Sequence, residues 1–154
     1  MRVLGKSTRL RERLKLKLPL LVWCREDAEQ TWEDTTHLLE ATTCGGGFNL
    51  IRPVEPGRLL LLTMAMPHHL RSFDHVAPQY RVWSLVRHIS VLPPDAEGIT
   101  RFAFGVAFIG KHPPRSYEQD PTTSYGLRPI SGKDGLWVAR EEPRRTGRSA
   151  LALE

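Results

Sequence analysis

The stretch LKLKLPLLVW, Leu14 to Trp23, alternates: Leu14, Leu16, Leu18, Leu20 and Val22 are separated by Lys15, Lys17, Pro19 and Leu21. Period two puts successive side chains on opposite faces of an extended chain, so this reads as a β-strand with one face turned to a core. Pro19 lacks an N–H for the ladder, which assigns it to a sheet edge or a bulge. Working outward, Arg25 to Gln30 is a charged turn, and the Thr-rich TWEDTTHLLEA, Thr31 to Ala41, reads as a second strand. GFNLIRPV, Gly47 to Val54, gives a third, and the Pro56-Gly57 turn leads into a fourth, Arg58 to Met66. Residues 67–79 show no period and read as a loop. YRVWSLVRHISV, Tyr80 to Val91, is rich in β-branched and aromatic residues and makes a fifth strand. Pro93 to Gly98 turns the chain into a sixth, Ile99 to Ile109. Short strands at regular spacing with turn signals between them predict an all-β protein, a small closed antiparallel barrel rather than a βαβ fold.

The chain has 154 residues, 40% of them apolar, enough for one domain with a real core plus a tail. Its formal charge is +5, but the charge is unevenly placed. Arg2, Lys6, Arg9, Arg11, Arg13, Lys15 and Lys17 face Glu12 alone, a local balance of +6, so the remainder sums to about −1. The basicity belongs to one end and is not a coat for nucleic acid. Residues 1–13 read as a basic arm, 14–112 as the barrel, and 113–154, rich in Pro, Gly, Ser and Thr, as a mostly irregular or flexible tail. A short helix near Ser116 to Asp120 and a docking point at Leu136 to Val138 are its structured candidates. The run before Cys24 is too short for a signal peptide and Trp23 too bulky for a cleavage site. No stretch reaches the roughly 20 apolar residues that span a bilayer. The expectation is a cytoplasmic protein.

TTCGGGFNL, Thr42 to Leu50, places three glycines in succession. A plain hairpin needs one Asn-Gly or Asp-Gly pair, so the run reads either as a bulged turn at a barrel corner or as a place of close approach to backbone. If strands one and two form an antiparallel hairpin, Thr42 to Gly47 lies beside Arg9 to Arg13. Cys24 and Cys44 then fall at opposite ends, roughly 30 Å apart at ~3.3 Å per residue, too far for a disulfide. Guanidinium groups pair bidentately with phosphate, stack on bases and donate to guanine O6 and N7. A neighbouring glycine-rich turn lets backbone N–H groups meet an anion or a base edge, with Thr42, Thr43 and Cys44 adding polar contacts. The chemistry suits a phosphorylated, guanine-like ligand. The bland alternative is a solvated arginine arm beside a simple corner.

RLRERLKLKLPLLV (Arg9 to Val22), TTCGGGFNL, RPVEPGRLLLL (Arg52 to Leu62), LVRHISV (Leu85 to Val91) and FGVAFI (Phe104 to Ile109) together resemble a PilZ domain, the bacterial cyclic di-GMP receptor module. The resemblance runs from about Arg9 to Gly110. It implies a six-stranded antiparallel barrel and a regulatory protein that binds cyclic di-GMP and changes its contacts with a protein partner. Arg9 and Arg13 match the family's R-x-x-x-R motif, whose arginines clasp the ligand's phosphates and guanine faces. The second motif, D/N-x-S-x-x-G, falls on Thr42, Cys44 and Gly47, and only the glycine agrees. A threonine does not offer the paired acceptors of a carboxylate, and losing that contact weakens binding by about ten- to a hundredfold. The expected ligand-binding residues are Arg9, Arg13, Thr42, Cys44 and Gly47. The alternative is a barrel that no longer binds nucleotide and serves as a protein-interaction adaptor.

Other signals are weaker. His68, His69, Asp74 and His75 share a loop, but their spacing matches no standard metal site. There is no Walker lysine after the glycines, no G-x-S-x-G elbow and no paired carboxylates at a likely cleft, so neither an enzyme nor a resident cofactor is expected. A third reading, single-stranded nucleic acid on a small barrel, would need stacking aromatics on a basic strand face, whereas the basic residues lie mainly in the arm. His88 reads as a half-exposed strand residue, and Trp23, Trp32, Trp83 and Phe48 as core or rim.

Overall fold

The alternation from Lys17 onward is realised in three dimensions: Lys17 and Pro19 are exposed, while Leu20, Val22 and Cys24 are buried. The computed structural model describes residues 14–129 and 137–142. Six strands, β1 (Leu14–Arg25), β2 (Thr31–Thr42), β3 (Gly45–Leu50), β4 (Leu59–Met64), β5 (Tyr80–Val91) and β6 (Phe102–Gly110), close into a barrel in the order β1-β2-β3-β6-β5-β4. Every neighbouring pair is antiparallel, and β1 with β4 makes the seam. Closure leaves the barrel itself no free sheet edge, which removes the hazard of edge-to-edge pairing there.

Pro19 sits inside the β1–β2 ladder opposite His37, next to the register shift between Lys15 and Leu18, and the β4 ladder begins only at Leu20. Its missing N–H therefore falls where β4 does not pair. Several strand boundaries differ from the sequence reading. The third strand is Gly45–Leu50 rather than 47–54: its pairing with β6 ends at Leu50, and Pro53 lacks the N–H to continue a ladder. The fourth and sixth are shorter than expected at one or both ends.

The interior is filled by Leu20, Val22, Leu38, Phe48, Leu62, Val82, Val86, Phe104 and Phe108, among others. Phe48 and Phe104 stack with centroids 5.4 Å apart, and Tyr80 meets Phe108 edge-on at 6.1 Å. Aromatic pairs in these arrangements stabilise beyond their buried area, by about 0.5–1.5 kcal/mol each.

Residues 67–79 are organised around one arginine. Arg71 is 4% exposed, and its guanidinium donates to the carbonyls of Met66, Asp74, Ala77 and Pro78 while lying 5.2 Å from the Tyr80 ring centroid. Asp74 adopts φ 47°, and its carboxylate accepts from the Ala77 N–H at 3.2 Å, which turns its own carbonyl toward Arg71. A loop with no hydrophobic period thus acquires a fixed shape from a buried cation and its acceptors.

Within the stretch read as a mostly irregular tail, the structure describes a short helix α1 (Arg115–Gln119) and a hairpin of β7 (Tyr125–Pro129) and β8 (Trp137–Glu141). They cover the outside of the barrel. Tyr117 and Tyr125 bury against Leu59 and Leu85, with Trp83, Ile109, Leu127 and Ala139 around them. Two short backbone bonds fix the hairpin, Tyr125 N–H to Gly57 carbonyl and Glu142 N–H to Ser124 carbonyl, both 2.9 Å. Among the described residues no helix is long and apolar enough to cross a membrane.

Candidate functional site

The glycines are not a turn. Thr43 and Cys44 make the β2–β3 connection, and Gly45, Gly46 and Gly47 are the first three residues of β3, paired with β2 on one side and β6 on the other. The expectation of a glycine corner is corrected by packing. A β-carbon on Gly45 would run into the backbone carbonyl of Val106, and one on Gly46 would stand 2.8 Å from Leu38 Cδ1. Something does approach the backbone closely at these two positions, and it is the barrel itself. Gly47 differs: a β-carbon there would meet Glu40 Cγ and Oε2 and the Phe104 carbonyl at 3.4 Å, ordinary contact distances.

The turn is held from several sides. The Cys44 N–H donates to Thr42 Oγ1 at 3.0 Å, and the Cys44 carbonyl accepts from the Phe108 N–H at 2.8 Å. The Ser72 hydroxyl, carried by the loop that Arg71 organises, donates to the Thr43 carbonyl. Thr43 Oγ1 and Cys44 Sγ lie 3.8 Å apart. Both cysteines are free thiols. Burial, reinforced by the Glu26 carboxylate, pushes the Cys24 thiol up to about 11, while Cys44 is half-buried at the turn.

Outside this part of the barrel lies an open groove of about 610 Å³. Phe48 and Leu50 point into the core, so Gly47 and Asn49 face out, and Gly105 and Ala103 opposite them face out too. Leu38 and Ala41 both turn inward, which brings Glu40 out beside Gly47. One row of paired residues then crosses four strands: Glu40 on β2, Gly47 on β3, Gly105 on β6 and His88 on β5. The glycines put no side chain of their own into the middle of the row, and the Glu40 side chain and the His88 ring lie over them. Glu40 and His88 flank it, with Arg87 and Ser90 further along the same groove. His88 is exposed, and its ring lies across the place where a β-carbon of Gly105 would stand. The irregularity in β5 between Val86 and His88 is what brings this ring over β6.

Of the five expected ligand-binding residues, Thr42, Cys44 and Gly47 come together at this groove, Thr42 and Cys44 at its end and Gly47 in its floor. Arg9 and Arg13 lie outside the described residues. The strand that follows them begins at Leu14, and Leu14 pairs with Ala41, the residue next to Thr42. Glu40 and His88 did not stand out in the sequence; only the pairing register brings them to the same row. Among the described residues no group of three or more His, Cys, Asp and Glu is arranged to hold a metal.

No family model matches the chain, and no curated protein does. Among solved structures, the Bacillus subtilis inhibitor of motility, MotI/DgrA, is similar over 72% of this chain and 46% of its own, at 17% identity and a TM-score of 0.46. MrkH of K. pneumonia, in its c-di-GMP complex, is similar over 68% of this chain and 45% of its own, at 12% identity and a TM-score of 0.47. The PilZ domain of YcgR from Escherichia coli, with c-di-GMP, is similar over 72% of this chain and 84% of its own, at 16% identity and a TM-score of 0.46. The chain spans less than half the length of the MotI and MrkH structures. The chain itself is a closed six-stranded antiparallel barrel.

Proposed function

We propose that this protein is a cyclic di-GMP receptor, a regulatory protein rather than an enzyme, acting in the bacterial cytoplasm. The observation that carries the reading is the pairing of Leu14 with Ala41, which starts β1 beside the end of the groove that Thr42 to Gly47 line. Arg13 immediately precedes Leu14, and Arg9 is four residues further back. On this reading their guanidinium groups take the ligand's phosphates and guanine faces, and Gly47 with the adjoining turn forms the opposing wall. Nucleotide binding changes the surface offered to a protein partner.

Calorimetric titration of the purified chain with cyclic di-GMP tests this. Binding in the wild type that disappears in Arg9→Ala/Arg13→Ala is the expected result. Absence of heat in the wild type, or equal affinity in the double variant, removes the reading.

One observation favours the adaptor alternative. The Thr42 hydroxyl is already used by the Cys44 N–H, so the motif position that ordinarily carries a carboxylate holds the turn together instead. An adaptor would capture the same protein partner with and without nucleotide, whereas a receptor's capture depends on it.

A further inference from the structure

Resting on the receptor reading, we infer that Glu40 reads the guanine base in this protein, and that His88 is the ring on which the base stacks. The motif position at Thr42 has no carboxylate, but the strand supplies one two residues away. Residues two apart on a strand share a face about 6.6 Å from each other. Ala41, between them, is buried in the core, so Thr42 and Glu40 both face the groove. Glu40 projects over Gly47: its Oε2 lies 3.4 Å from where a β-carbon there would stand. The Glu40 carboxyl therefore occupies the groove floor while its backbone remains in the β2 ladder.

Guanine presents two adjacent donors on its Watson–Crick edge, N1–H and the exocyclic amine, and an ionised carboxylate is an acceptor at both oxygens. Adenine presents one donor and one acceptor there, which a carboxylate mismatches and a primary amide matches. The acceptor at position 40 thus selects guanine over adenine. At the other end of the row, His88 is exposed, and its ring stands where a β-carbon of Gly105 would be. An exposed planar ring on a groove wall is a stacking platform, and stacking is tolerant of base identity. The two residues therefore have separable roles: His88 contributes affinity and Glu40 contributes choice of base.

The experiment is a set of titrations of the full chain with cyclic di-GMP and cyclic di-AMP. It uses the wild type, Glu40→Gln, Glu40→Asp, His88→Ala and Arg9→Ala/Arg13→Ala, each checked for the wild-type circular dichroism spectrum. Glu40→Gln is expected to weaken cyclic di-GMP by about ten- to a hundredfold and to erase its advantage over cyclic di-AMP. Glu40→Asp, which keeps a carboxylate, is expected to retain the guanine preference at lower affinity. His88→Ala is expected to weaken both dinucleotides by about tenfold without altering their ratio. A wild type that binds cyclic di-GMP and loses it in the arginine variant, while Glu40→Gln keeps the full preference for guanine, overturns this assignment alone. A wild type that binds neither dinucleotide overturns the receptor reading and this assignment with it.

Discussion

The imidazole of His88 covers Gly105 so closely that a β-carbon at 105 would overlap the ring. Glycine at 105 is therefore a condition for the ring to occupy that place. Gly105→Ala should displace an exposed side chain that is free to swing into solvent, with a stability change below ~1 kcal/mol. Gly45→Ala is the contrast, because the obstacle there is the Val106 carbonyl, fixed backbone inside a closed barrel. Overpacking of that kind costs roughly 1–3 kcal/mol. Gly47→Ala, with only ordinary contacts around the new methyl, should melt within a few degrees of the wild type. Urea denaturation of the three variants gives the order: Gly45→Ala well below the other two. Equal midpoints would mean that the strands part easily at β3.

Arg71 makes a second prediction. Four loop carbonyls converge on its guanidinium, and no shorter or monodentate cation reproduces that fan of donors. Arg71→Lys should lose at least about 2 kcal/mol, since hydrogen bonds to a charged group are worth roughly 1.5–3 kcal/mol and the carbonyls left behind are part-buried. Limited proteolysis should then cut within 67–79 before it cuts the strands. Ser72 rides on this loop and bonds the Thr43 carbonyl, so the same variant should also loosen the β2–β3 turn.

The alkaline limb of stability follows from Cys24. Its thiol titrates near pH 11 in the folded protein, against 9.0 for the ordinary value, because burial disfavours the thiolate and the Glu26 carboxylate adds to this. The unfolded chain therefore loses this proton first. The stabilising contribution is complete below pH 9 and is lost as pH rises through 11, at up to ~1.4 kcal/mol per pH unit and about 2–3 kcal/mol in all. Tyr80 and Tyr117, each held up to about 12 chiefly by burial, begin to titrate above that range. Cys24→Ala should flatten the pH 9–11 segment of a denaturation series. At pH 8, alkylation of the native protein should modify Cys44 at the turn and spare Cys24, which is 2% exposed.

How much of this was legible in the sequence depends on where each signal resides. β1 and β5 announce themselves, β1 because Leu14 to Val22 alternates and β5 because Tyr80 to Val91 is rich in β-branched and aromatic residues. The three glycines were ambiguous, since a missing side chain serves a turn and a crowded strand equally well; only the positions of Val106 and Leu38 decide between them. Arg71 was invisible because its ligands are backbone carbonyls, which every residue carries. The short helix expected near Ser116 to Asp120 is present as α1, whereas the hairpin strands beyond it are five residues each, too short to show a period, in a polar, proline-rich run. The Glu40 and His88 row belongs to no local pattern at all, being produced by pairing among four strands and by the register irregularity in β5.

Tyr117 carries the last prediction. It is 3% exposed, packs 5.1 Å from the Trp83 ring, and its hydroxyl has no hydrogen-bond partner among the described residues. Its ring and its hydroxyl therefore act in opposite directions. The ring closes the outer cluster over Leu59 and Leu85, and Tyr117→Ala should cost about 3–5 kcal/mol by opening a cavity there. The hydroxyl is a desolvated group without compensation, and Tyr117→Phe, which removes it and keeps the ring, should leave stability unchanged or raise it by about 1 kcal/mol. Thermal melts of the two variants separate the contributions. A Tyr117→Phe protein destabilised by as much as Tyr117→Ala would mean that the hydroxyl, not the ring, fastens α1 to the barrel.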